Sequence, residues 1–157
     1  MHKEPPEFDL YAITFKEIQI NFAESLGNPW IDDVVYRDPV HTTFLINANT
    51  GAAHGITNGD IVELISPYGR IFGRVALSQG VHHETIAVSN SLTRVAGQNT
   101  SVKHGGGNFN ELLPSDLRNT DACSSQLESV ARVLIRKLSM LPEDLPPNSV
   151  FAPRRVH

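Results

Sequence analysis

Short segments rich in β-branched and aromatic residues, each cut off by a turn signal, set the tightest limit on what this chain can fold into. Leu10–Phe15 (LYAITF), Thr42–Asn47 (TTFLIN), Ile61–Ile65 (IVELI), Ile71–Leu77 (IFGRVAL) and Thr85–Ser89 (TIAVS) all read as strands. The third and fourth flank Ser66-Pro67-Tyr68-Gly69-Arg70, where Pro67 presets φ and Gly69 accepts a positive φ, so a turn is expected there. Gln79-Gly80 marks another turn ahead of the fifth strand. Short strands whose later members start roughly 10–14 residues apart are typical of a sandwich or barrel.

Between the second and third strands lies ANTGAAHGITNGDIV. Ala52-Ala53-His54 is expected to make one helical turn, with Gly55 as its left-handed C-terminal cap. Asn58-Gly59-Asp60 forms a second tight turn into the next strand. The last element reads two ways. Ser125-Gln126-Leu127-Glu128 fits a capping box, and Leu127, Val130, Ala131, Leu134 and Leu138 recur at helical spacing. Arg132–Leu138 (RVLIRKL) also alternates well enough for a strand, although periodicity alone favours the helix.

The 157 residues suit one domain, with a lead-in at 1–9, a folded body at 10–138 and a Pro-rich extended tail at 139–157. Thirteen Lys and Arg against 17 Asp and Glu give a net charge of −4. A weakly acidic chain without a basic block is a poor match for nucleic acid or a membrane surface. No apolar run approaches the roughly 18 residues of a spanning helix, and MHKEPPEF does not read as a signal peptide. The single Cys123 excludes an internal disulfide, a cysteine-built zinc site and an iron–sulfur cluster held by this chain alone.

Five pieces in register carry a resemblance. ITFKEIQ leads to Asn28-Pro29-Trp30-Ile31; FLINANTGAAHGITNGDIVELIS runs into the hairpin SPYGRIFGRVAL; TIAVSNSL follows; Gly106-Gly107-Asn108-Phe109-Asn110-Glu111-Leu112 closes the series. Together they resemble the C-terminal molybdopterin dinucleotide-binding domain of the molybdopterin oxidoreductase (dimethyl sulfoxide reductase) superfamily, over about residues 10–138. The resemblance implies a mostly β fold, a six-stranded double-psi β-barrel with a few short helices. It also implies that Arg132–Lys137 is the strand that closes the barrel rather than a helix, since without it an edge would stay open. The implied cofactor is molybdopterin guanine dinucleotide, its metal, molybdenum or tungsten, held by another domain. The implied partners are the remaining domains or the catalytic subunit of such an oxidoreductase. The spelling is nearer the polysulfide, thiosulfate and arsenic oxyanion branch than the formate branch.

Such a ligand needs donors for its pyrophosphate, amides for the pterin and guanine edges, and glycines where the backbone comes close. On the resemblance, Thr14 and Lys16 supply a hydroxyl and a counter-charge in a loop that continues to Asn21. Ala23 departs from the pattern, standing where relatives commonly carry arginine. Ser89 and Asn90 end a strand expected to point at the ligand. Asn108 and Asn110 follow three consecutive glycines, and Gln126 falls near a polar position that meets the nucleotide in relatives. No residue is assigned to metal or to catalysis. His82 and His83, if on a strand, face opposite ways and cannot clamp one ion. Cys123, in a polar loop, is a bystander thiol.

The same barrel type also serves as a protein-interaction module without cofactor, which has no need of the Asn-rich loops. A self-processing decarboxylase on this barrel requires a Gly-Ser pair, and the chain contains none.

Overall fold

The computed structural model describes residues 7–19, 28, 30, 31, 34, 43–89, 108–114, 121, 123, 124 and 130–139. Within them lie β1 (Leu10–Phe15), β2 (Thr43–Ile46), helix α1 (Ala48–Ala53), β3 (Ile61–Ile65), β4 (Arg70–Leu77), β5 (Thr85–Ser89), a 3-10 turn (Phe109–Leu112) and β6 (Val130–Lys137). The strands close into a barrel in the order β1-β5-β2-β4-β3-β6, with β6 pairing back onto β1. Two pairs are parallel, β1 with β5 and β2 with β4; the other four are antiparallel. Parallel neighbours cannot be joined by a tight turn, so the chain must cross over between them. This mixed, closed order is the double-psi barrel.

Alternation along β4 and β6 helps fill the interior, and β3 and β5 are buried through most of their length. β4 reads exposed, buried, half-buried, buried, exposed, buried from Arg70 to Val75, and Ala131, Val133 and Ile135 point inward along β6. They meet Phe44, Ile46, Val62, Leu64, Ile71, Val75, Ile86 and Val88 in one core. Gly73 makes room for its largest member, because a Cβ there would overlap the Phe44 ring. The period of two in β6 settles the last element as a strand, two residues longer at its start than Arg132–Lys137. Its helical spacing is overridden by backbone bonding to both β1 and β3.

α1 is longer than the single turn expected. Asn47 caps it by accepting from Asn49 N at 2.9 Å. Gly55 follows with φ +66°, as the left-handed cap requires, and Gly59 takes φ +89° in the Asn58-Gly59-Asp60 turn. Gly69 differs from expectation: its φ is not positive, and Ser66 itself organises the turn, its Oγ accepting from Tyr68 N and Gly69 N. What Gly69 supplies is space, since a Cβ there would overlap the backbone carbonyl of Glu111.

Candidate cofactor-binding end of the barrel

Strand directions sort the loops. The pairing makes β1, β3 and β5 run one way and β2, β4 and β6 the other. One end of the barrel therefore carries the C-terminal ends of β1, β3 and β5 and the N-terminal ends of β2, β4 and β6. Thr14 and Lys16 stand at that end, where β1 finishes, and Phe15 pairs with Ser89 at the finish of β5. The β3–β4 hairpin lies there too, and the 3-10 turn packs against it through Gly69 and Glu111. That contact brings Asn108 and Asn110 to the same end. The described members of the expected site thus share one end of the barrel, although they come from three distant parts of the sequence. Asn21, Asn90 and Gln126 lie outside the described residues.

The side chains differ in how they present themselves. Thr14, Lys16 and Asn110 are exposed. Asn108 is half-buried and caps the 3-10 turn: its Oδ1 accepts from Asn110 N at 3.0 Å, while Glu111 Oε1 accepts from Asn108 N at 3.3 Å. That reciprocal box leaves its amide nitrogen as the group nearest to a ligand role. Phe109 and Leu112 anchor the turn in the core, so the two asparagines ride on a fixed support. Ser89 is fully buried, and its hydroxyl donates to the carboxylate of Glu17, itself 8% exposed. Ser89 therefore acts on the strand end, holding β5 to the segment just beyond β1.

Glu17 escaped the sequence reading, because a lone Glu beyond a strand looks solvated until the barrel closes over it. The Asn108-x-x-Glu111 spacing is a capping-box signal the sequence does carry. Buried side-chain nitrogens and oxygens all have partners among the described residues. A hydroxyl, an ammonium and amides at one end fit a ligand with anionic and hydrogen-bonding edges.

The opposite end has a different chemistry. Asp60 takes a 2.6 Å ion pair from Lys137 and hydrogen bonds from Thr57 N and Oγ1, which hold its carboxyl near pKa 2, below the usual 3.8. His82 and His83 sit before β5 in a turn, not on a strand, and their rings lie side by side with centroids 4.2 Å apart. Away from that end, Cys123 is exposed in a turn held by Asp121, whose Oδ1 accepts from Ser124 N, Ser124 Oγ and Cys123 N. Those bonds, with Ser124 foremost, lower the Asp121 pKa. Along the barrel wall, buried Glu63 is held by Arg136 and, at 3.4 Å, by Arg70.

Comparison with known proteins agrees with the fold. No curated protein sequence matches the chain. Among solved structures, the chain is similar to acetylene hydratase from Pelobacter acetylenicus, with a TM-score of 0.63 at 14% identity. That match covers 84% of this chain and 18% of the other, so the chain spans less than a fifth of that protein. The family model described as the molydopterin dinucleotide binding domain matches residues 31–130. The chain accordingly belongs to the family of molybdopterin dinucleotide-binding domains.

Proposed function

We infer that the end carrying Thr14, Lys16, Asn108 and Asn110 receives a molybdopterin guanine dinucleotide, and that the chain works as the C-terminal domain or a separate subunit of a molybdenum or tungsten oxidoreductase. When bound, the cofactor supplies two-electron redox chemistry through its metal, which another domain ligates. This chain contributes binding and orientation. The Lys16 ammonium offsets pyrophosphate charge, the Thr14 hydroxyl donates to a phosphate oxygen, and the amides of Asn108 and Asn110 meet a heterocycle edge. Ser89 and Glu17 hold the ends of β1 and β5 together, fixing the loop that starts at Lys16. The observation that carries this reading is the strand polarity, which gathers these groups at one end. The segment spelling supports the polysulfide, thiosulfate and arsenic oxyanion branch for the parent enzyme.

Native mass spectrometry of the 157-residue chain with GDP, a stable surrogate for half of the dinucleotide, tests it. One GDP per chain, lost in Asn110→Ala and weakened in Lys16→Ala, is the expected result. Uptake that neither substitution changes would place the nucleotide elsewhere. No uptake by the wild-type chain, together with capture of a protein on the same face, would favour the interaction-module reading.

A further inference from the structure

We propose that His82, His83 and Glu84 form a binding site for a borderline transition-metal ion, Zn2+ or Ni2+, at the end of the barrel opposite the cofactor loops. The three residues are consecutive and exposed, and each offers one ligand atom within 4.8 Å of the other two. The two imidazoles lie with ring centroids 4.2 Å apart, tilted by 34°. Ligand atoms on a tetrahedral zinc ion stand about 3.4 Å apart, from bonds of about 2.1 Å, so small side-chain rotations bring the three onto one ion. Two imidazole nitrogens and one carboxylate suit zinc or nickel; magnesium and calcium prefer oxygen alone.

What distinguishes this trio from scattered surface histidines is how firmly its backbone is fixed. Asn47 Nδ2 donates to Val81 O at 2.8 Å, and Thr50 Oγ1 donates to His83 O at 2.6 Å, so α1 holds the turn from one side. Thr85 N donates to His82 O at 3.0 Å, and Tyr11 N donates to Glu84 O at 2.8 Å, tying the turn to β5 and β1. The backbone entropy of ordering the site is therefore already spent in folding. His82 Nδ1 accepts only a long 3.3 Å bond from Glu84 N, which an ion at that nitrogen replaces at small cost. The remaining coordination positions face solvent, where water completes the shell.

Titration calorimetry of the tag-free chain with ZnCl2 and with NiCl2 provides the affinity, and 15N-HSQC spectra with Ni2+ locate the ion. One ion per chain is expected, with paramagnetic broadening centred on the amides of residues 81–86. His83→Gln should weaken binding at least tenfold, on the scale of roughly 10–100-fold seen even for outer-sphere partners. Glu84→Gln should weaken it less, and His54→Gln should leave it unchanged. Absence of binding at millimolar metal, or undiminished binding in the His82→Gln/His83→Gln double variant, would overturn the proposal. Far-ultraviolet circular dichroism of each variant shows that the barrel is intact.

Discussion

Ser89 gives its hydroxyl hydrogen bond to Glu17, a residue 72 positions earlier, and the two are buried together where β5 and β1 finish side by side. A hydrogen bond to a carboxylate out of water is worth more than a surface bond, about 1.5–3 kcal/mol. Ser89→Ala should therefore lower unfolding free energy by about 2 kcal/mol in urea titrations. It should also weaken GDP binding although Ser89 is not exposed to the ligand, because the loop beginning at Lys16 loses its tether. Wild-type stability in Ser89→Ala would show that the bond adds nothing to folding.

Gly69 and Gly55 offer a contrast. Alanine at 69 drives a Cβ into the Glu111 carbonyl and pushes the hairpin from the 3-10 turn, costing about 1–3 kcal/mol. Alanine at 55 meets no neighbour within 4 Å but must hold φ +66°, at about 1 kcal/mol. Only the first should displace Asn108 and Asn110, so Gly69→Ala alone should reduce nucleotide uptake along with stability.

Asp60 makes stability depend on acid. Its folded pKa, about 2, lies below the unfolded 3.8, chiefly because of the Lys137 hydrogen bond. A depressed carboxylate pKa contributes stability that is fully present above the unfolded value and lost as pH falls through the folded one. Urea midpoints measured from pH 4.5 to pH 2 should fall more steeply in the wild type than in Asp60→Asn. Lys137→Ala should flatten the same window.

The two arginines around Glu63 are not equivalent. Arg136 donates through both Nε, at 3.0 Å, and Nη2 to one carboxylate oxygen, whereas Arg70 reaches the other at 3.4 Å. Both guanidinia are mostly exposed, which screens their charge, but Glu63 is 1% exposed. Arg136→Ala should cost about 2 kcal/mol, below the 3–5 of a fully buried pair, and Arg70→Ala under about 1. Thermal unfolding of the two variants ranks them directly.

Most of the barrel was legible because its strands are spelled in residues that favour a pleated, half-buried surface. Leu10–Phe15, Ile61–Ile65 and Thr85–Ser89 have the same limits in sequence and structure. β6 was harder, since Val130, Ala131 and Leu134 lie on a strand and, with Leu138, also satisfy a helical period. The demand of two otherwise unpaired neighbours, β1 and β3, decides for the strand. The role of Gly69 was misread for a related reason: its neighbour Glu111 is remote in sequence, and no local pattern announces a lack of space. His82 and His83 lie in the turn before β5 rather than on a strand, so strand alternation does not force them to face opposite ways. Thr14, Lys16, Ser89, Asn108 and Asn110 were named from the family resemblance together with the chemistry of their loops; their shared end follows from strand polarity, which no single segment encodes.

The antiparallel pairing of β1 with β6 carries a topological consequence. The chain enters the barrel at Leu10 and leaves it at Lys137 on adjacent strands, both on the side away from Thr14, Lys16 and Asn110. The barrel is in this sense a cassette: it can be spliced into a longer polypeptide, or joined to one, through a single doorway at its back. Changes of length or composition at that doorway need not rethread the strands or touch Thr14, Lys16 and Asn110 at the far end.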